Sequence, residues 1–268
     1  MFNSYFPAQP EISKITDNYV EMNSAKGKQT RDIATFYQFR VNKESIKLIS
    51  IIPDGCFDIL ICCSASHPCA VLWTSPFCRQ KQLHFIENCT YFGVRFYPEQ
   101  GLLRLKLPMD ELLGQQVPLF DVMNIGDSLV EEIGTAHSFN ERIIIFKRYL
   151  ESVREDLALE QKIMRYSIDK IYSSSGKVSI NDISRDIGYT PQYIRKNFKR
   201  YIGFPPKKFC EILKFQNIIS KITIINRRSL MLDVTFENEY YDQSHFIREF
   251  KKMADLTPTQ YLAYLGTI

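Results

Sequence analysis

No stretch of this chain approaches about 18 consecutive apolar residues, so the sequence offers no helix suited to crossing a bilayer. The first residues, MFNSYFPAQPEIS, lack both a basic opening and an apolar run ending in small residues. A secretory signal is therefore not expected, and a cytoplasmic address is the default. Histidine is scarce, and only His67 and His84 precede the helical part of the sequence. A metal site of the kind small β-barrels carry needs at least two clustered histidines, so no metal site is expected. No Ser-His-Asp or Cys-His arrangement stands at a recognisable spacing, which leaves no catalytic candidates and no cofactor to expect.

Cysteine is present but never as C-x-x-C, which removes the usual zinc-knuckle geometry. Cys56, Cys62, Cys63, Cys69, Cys78 and Cys89 crowd into one stretch. They read first as small apolar residues on β-strands. The other reading is a thiol or soft-metal sensor, with His67 and His84 as nearby ligands.

What the sequence does contain is divided unevenly. Residues 160–268 hold 18 Lys and Arg against 11 Asp and Glu, a net +7, while residues 1–159 carry −3. A basic module joined to a slightly acidic one places any polyanion partner on the second half. From about Thr35 to Arg104 short β-type runs (ATFYQFRV, IKLISII, FDILICC, AVLWT, QLHFI, YFGVRFY) alternate with turn signals such as Pro53-Asp54-Gly55, the pattern of a small β-barrel or sandwich. After Pro108 the period lengthens, and MDELLGQQV, IGDSLVEEIG and SFNERIIIFKRYLESVRE read as helices over about 108–155. The last has an apolar stripe of Ile143, Phe146, Leu150 and Val153, which packs on its own domain or pairs two subunits. The polar stretch Glu155–Gln161 marks a boundary, giving domains 1–157 and 158–268.

The second domain contains one internal duplication. In its first copy, Ser179 and Asp182 form a capping box, Ile180, Ile183 and Ile187 share a face, and Gly188 stops the helix. Thr190-Pro191 restarts a helix in which Ile194 and Phe198 point inward. Gln192, Arg195, Lys196 and Lys199 then form one polar face, the amide and cationic chemistry that base edges in a major groove accept. A solvated helix face would look the same in isolation. In the second copy Leu230, Val234 and Phe236 supply a first helix, Glu239-Tyr240-Tyr241 the turn, and Asp242 the cap of QSHFIREFKKM. Phe246, Phe250 and Met253 face inward there, with Ser244, His245, Arg248, Lys251 and Lys252 outward. Between the copies, Pro206 to about Asn226 reads as one long helix with Phe209, Ile212, Leu213, Gln216 and Ile219 inward.

Tyr240–Leu262 (YYDQSHFIREFKKMADLTPTQYL) and the first-copy stretch DIGYTPQYIRKNFKRYIGFPPKKF resemble the AraC/XylS family of bacterial transcription regulators. The resemblance implies an all-α DNA-binding domain of two helix-turn-helix units joined by a long helix. It also implies base contacts from Gln192, Arg195 and Lys196, and from Gln243, Ser244, His245 and Arg248. Asp242 and Gln243 have a second reading, as residues that cap and dock their helix. Lys199, Arg200, Lys207, Lys208 and Lys251 would meet phosphates. Two positions depart from the family, which has Gly where Glu239 and Asp255 stand. These departures are the only support for the alternative, a protein-titrating regulator with weak or lost DNA binding.

The first half resembles an uncharacterised sensor-like domain found ahead of some AraC-type DNA-binding domains, through IPDGCFD (52–58), GVRFYP (93–98) and Leu107-Pro108 to Val117. That implies an α+β two-domain chain with a small cupin-like β-barrel over about 35–105. Asp54, Asp58 and Arg95 are its charged candidates for ligand contact, although Pro-Asp-Gly is a turn in its own right and Asp carboxylates cap backbone N–H groups. The expected partners are double-stranded DNA, RNA polymerase, a small-molecule effector and a second copy joined through the N-terminal half. No membrane partner is expected.

Overall fold

A computed structural model of the chain describes residues 5–24, 32–64, 68–81, 85–153, 156–225 and 243–266. The N-terminal half is built on an antiparallel sheet in the order β1-β2-β7-β4-β5-β8. The strands are β1 (Asp17–Asn23), β2 (Ile33–Arg40), β4 (Phe57–Cys62), β5 (Cys69–Thr74), β7 (Thr90–Phe96) and β8 (Gln116–Pro118). Side chains alternate across it with period two. Phe36, Phe57, Ile59, Ile61, Phe92 and Phe96 face α4 (Asp127–Thr135) and α5 (Phe139–Ser152). Tyr37, Phe39, Leu60, Cys62, Trp73 and Tyr91 face the other way, toward Ile12 of α1 (Pro10–Ile15) and the short pair β3 (Ser50–Ile51) and β6 (Gln80–Lys81).

The expected closed, cupin-like barrel is not found among the described residues; the sheet is open. Strands β3 and β6 are only two residues each and bond to one another rather than to the edges of the larger sheet, so no described strand closes it. The helices α4 and α5 cover one face instead. Phe146 of α5 packs against Phe36, Phe92 and Phe96 at 6.3–6.5 Å between ring centroids, so the α5 stripe serves its own sheet. Several strand and helix expectations shift. Residues 109–117 are not one helix: α2 (Met109–Leu112) is a single turn, and the chain then extends into β8. IKLISII contributes only Ser50–Ile51 to a strand, and Phe85 and Ile86 at the end of QLHFI are not in one. Strand β1, which the sequence reading did not include, is a mostly exposed edge with no apolar alternation to betray it.

The C-terminal half is helical: α6 (Leu159–Ser173), α7 (Ile180–Ile187), α8 (Pro191–Ile202), α9 (Pro206–Ile225), α10 (Gln243–Ala254) and α11 (Pro258–Tyr264), with α3 (Leu119–Val122) completing the N-terminal set. Phe209, Ile212, Leu213, Gln216 and Ile219 of α9 are all buried, as the stripe requires. Its 20 residues give a length of about 30 Å. Met253 and Ala254 close α10, after which Asp255 takes φ +58°, the left-handed conformation for which glycine has no steric cost. Thr257 then caps α11, accepting from the Gln260 N–H while the Gln260 side chain accepts from the Thr257 N–H.

The two halves are joined by buried contacts. The Pro53-Asp54-Gly55 turn lies flat on α9: Gly55 has φ +71°, and a Cβ there would stand 2.7 Å from the Phe209 ring. Gln216 Nε2 donates to the Pro53 carbonyl (2.8 Å), and Gln216 Oε1 accepts from the Ala8 N–H (2.8 Å). Arg79 makes a forked contact to the fully buried Glu11 (2.9–3.1 Å) and lies over the Tyr264 ring of α11. Arg165 of α6 reaches Asp32 at 2.5 Å. Beside it Glu99 accepts from Tyr172 Oη (3.1 Å), and burial of the carboxyl, reinforced by Asp169 and Asp32, raises its pKa from 4.5 to about 7.

Three outcomes follow from this packing. Gln216→Leu leaves the half-buried Ala8 N–H and the buried Pro53 carbonyl without their partner and should cost about 1–3 kcal/mol, read by denaturant unfolding. Asp255→Gly removes a non-glycine residue from left-handed backbone and should stabilise the chain by up to about 1 kcal/mol in the same assay. Glu99 holds its proton more tightly folded than unfolded. Its contribution to stability is therefore full below about pH 4.5 and is lost as pH rises through about 7. Glu99→Gln should flatten that part of a Tm-versus-pH curve and leave the alkaline part parallel to the parent.

Candidate nucleic-acid interface and buried charge cluster

The first helix-turn-helix unit forms by the local rules its sequence announces. Ser179 Oγ accepts from the Asp182 N–H (3.1 Å) and donates to Asp182 Oδ2 (2.7 Å), opening α7. Gly188 takes φ +72° and ends it. Thr190 Oγ1 accepts from the Tyr193 N–H (3.2 Å), with Pro191 at the first helical position of α8. The stacked rings of Tyr189 and Tyr193, 4.9 Å apart, brace the turn. Ile194 and Phe198 are fully buried, which fixes the rotation of α8 and turns Gln192, Arg195, Lys196 and Lys199 to solvent. Arg195 and Lys196 make no ion pair among the described residues, whereas Lys199 lies 3.4 Å from Asp110 of α2. Among the described residues Gln192, Arg195 and Lys196 have no side-chain partner, and Lys199 is shared with the N-terminal half.

In the second unit the described residues begin at α10. Leu230, Val234, Phe236, Glu239-Tyr240-Tyr241 and Asp242 lie outside them. Phe246, Phe250 and Met253 are buried as expected, with Phe250 against Phe215 of α9 at 5.3 Å and Tyr261 of α11 at 5.8 Å. That packing exposes Gln243, Ser244 and Arg248; His245 is half-buried. Among the phosphate candidates, Arg200, Lys207 and Lys251 are exposed. Lys208 is half-buried against Met253 and within 3.8 Å of Glu211.

Asp54, Asp58 and Arg95 do come together, but as a buried cluster that satisfies itself. Asp58 and Arg95 are directly opposed across β4 and β7, and Arg95 binds both Asp58 oxygens through Nε (2.8 Å) and Nη2 (2.7 Å). Tyr37 Oη donates to Asp58 Oδ2 (2.8 Å). Asp54 caps the turn, accepting from the Cys56 N–H (2.9 Å) and from Gln9 Nε2 (2.9 Å), with Arg95 Nη1 3.6 Å away. Burial raises the pKa of Asp54, against the opposing pull of Arg95. Next to the cluster is a cavity of about 170 Å³ lined by Phe6, Gln9, Tyr19, Tyr37 and Arg95 among others. Sequence reasoning did not identify Gln9, Gln216 or the Glu11–Arg79 pair as tertiary contacts. The one available signal was an amide, Gln216, on an otherwise apolar stripe.

The described residues contain no group of three or more His, Cys, Asp and Glu side chains placed to hold a metal ion. None of the described helices is long and apolar enough to cross a membrane. His67 and His84 lie outside the described residues.

Residues 183–264 match a family described as a helix-turn-helix domain, and residues 30–118 match a domain of unknown function, DUF6597. Escherichia coli YkgA, named as an HTH-type transcriptional regulator, is 27% identical over 115 residues, covering 42% of this chain and 47% of YkgA. The lactose operon transcription activator of Staphylococcus xylosus is 21% identical over 165 residues, covering 56% of this chain and 57% of the activator. The chain thus spans about half the length of these relatives. Among solved structures, ToxT from Vibrio cholerae with an unsaturated fatty acid bound covers 94% of this chain and 95% of its own, at 14% identity and a TM-score of 0.42. The motifs of the C-terminal helices, the matching helix-turn-helix family and the regulators that share it agree: residues 183–264 form a helix-turn-helix domain of the AraC/XylS type, shared with transcription regulators.

Proposed function

We propose that the chain binds promoter DNA in a sequence-specific way, with residues 158–268 reading two successive major-groove segments and residues 1–157 regulating that binding. The observation that carries this reading is the exposed polar face of α8. Gln192, Arg195 and Lys196 are solvent-exposed on a helix whose rotation is set by buried Ile194 and Phe198. On α10, Gln243, Ser244 and Arg248 have the equivalent exposure. Arginine forks suit guanine O6 and N7, and glutamine suits adenine N6 and N7. The length of α9, about 30 Å, is compatible with two reading helices about one helical turn of DNA apart, near 34 Å. Arg200, Lys207 and Lys251 would add phosphate contacts and salt dependence without sequence choice.

Half-buried His245 is assigned a positioning rather than a base-reading role in this scheme. Asp58 and Arg95 are assigned to holding the sheet, and the neighbouring cavity is the place for a small effector. RNA polymerase and a second copy of the chain complete the partners. Because the α5 stripe is consumed by its own sheet, a second copy would use another surface of the N-terminal half. The protein-titrating alternative is less favoured, since Asp255 is accommodated in left-handed backbone with a normal cap after it. No catalytic role is assigned.

Selection of bound duplexes from random DNA tests this directly. The parent should enrich two motifs about 10 base pairs apart. Arg195→Ala and Arg248→Ala should each cost about 1–3 kcal/mol on the best site and relax one motif only. Binding without sequence preference, or unchanged by both substitutions, would reject the reading.

A further inference from the structure

The function proposed above makes no use of the crowded cysteines, yet three of them are brought together at one end of the sheet. Cys62, the last residue of β4, is bonded to Cys89, which directly precedes β7. Both are buried, and the Cys89 carbonyl accepts from the Val41 N–H (3.0 Å), so the bond ties the ends of β2, β4 and β7 together. Cys69, the first residue of β5, is exposed, carries a free thiol and stands directly opposite Cys62 in the β4–β5 register. Direct cross-strand neighbours put their Cβ atoms about 4.5–5.5 Å apart on one face, close to the span a disulfide bridges. Cys63 follows Cys62 in the chain and belongs with the opposite face of the sheet, packed toward the α4–α5 side. Cys62 alone therefore has two sulfur partners, one buried and one open to solvent.

We propose that Cys62, Cys69 and Cys89 form a thiol–disulfide exchange site through which small thiols and disulfides in solution act on the N-terminal sheet. The Cys69 thiolate attacks Cys62 Sγ. The Cys62–Cys69 bond forms as Cys62–Cys89 breaks, and Cys89 leaves as a thiolate that takes up the proton Cys69 gave up. No electrons enter or leave in this step. A low-molecular-weight thiol, RSH, then attacks exposed Cys69, forming a Cys69–SR mixed disulfide and freeing Cys62 as a thiol. A second RSH attacks the mixed disulfide, frees the Cys69 thiol and departs as RSSR, so that the two RSH molecules leave two electrons and two protons on the protein sulfurs. The reverse sequence, with RSSR as oxidant, rebuilds the buried bond. The exposed cysteine is the entry point because the sulfurs of the buried pair are shielded from attack, and exchange rates follow access.

The test is differential alkylation of the full chain equilibrated in glutathione buffers of graded oxidation, with each cysteine read by tandem mass spectrometry. The expected pattern is Cys62 protected in every oxidised molecule, with Cys69 and Cys89 sharing the second protected position. Cys69→Ser should transfer all of that protection to Cys89 and slow reduction of the Cys62–Cys89 bond by about tenfold or more at sub-millimolar thiol, since an intramolecular partner acts at millimolar effective concentration. Cys62→Ser should leave both partners fully alkylated. Complete alkylation of Cys69 wherever Cys62 is protected, or an unchanged reduction rate in Cys69→Ser, would overturn the proposal. Duplex selection with Cys69→Ser keeps this result separate from the DNA-binding reading.

Discussion

The seating of one turn on one helix organises this molecule. Pro53-Asp54-Gly55 can lie flush against Phe209 because residue 55 has no Cβ and accepts a positive φ. Gln216, one helical stripe further along α9, then satisfies the Pro53 carbonyl and the Ala8 N–H together. The same turn leads into β4, so the strand that carries Asp58 and the long helix α9 are positioned by a single contact. Tyr5 adds to it, donating to the Asp54 carbonyl and stacking on Tyr172 at 5.1 Å.

Charge is used differently on the two sides of that contact. In the sheet, Asp58 and Arg95 are both buried and form a two-pronged pair, with Tyr37 on one carboxylate oxygen. Such a pair is worth little by itself, but losing one member would strand the other without water, so it holds the strand register firmly. On α8 and α10 the cations stay in solvent. They contribute almost nothing to folding and remain available to a polyanion. The two uses meet at Lys199, which belongs to the α8 polar face and lies beside Asp110 of the N-terminal half.

Much of the C-terminal half was legible because its signals are local. Ser179, Gly188 and Thr190-Pro191 each act on backbone groups within four residues, and each appears in the structure in its expected role. The inward residues of α8, α9 and α10 follow the same logic, since a 3.6-residue period needs no knowledge of the partner surface. The N-terminal half was harder. Its strands β2, β4, β5 and β7 were visible through alternating or continuous apolar runs, but whether a sheet closes depends on edges that the runs do not encode. Strand β1 has an exposed, polar sequence, and β8 is three residues long, so neither carries a pattern strong enough to compete with its surroundings.

By itself, then, the sequence determined the first helix-turn-helix unit with its caps and the outward polar faces of α8 and α10, because periodicity and capping are short-range. The tertiary structure decided that the sheet stays open and that α5 covers it. It also brought Asp54, Asp58 and Arg95 into one self-satisfied cluster, set Cys69 opposite a bonded Cys62, and made Gln216 a bridge between the halves. Several of these pairings join residues far apart in the chain, such as Cys62 and Cys89 at 27 residues and Ala8 and Gln216 at 208. Nothing in local spacing distinguishes such partners from their neighbours; only the packing of strands and helices brings them within bonding distance.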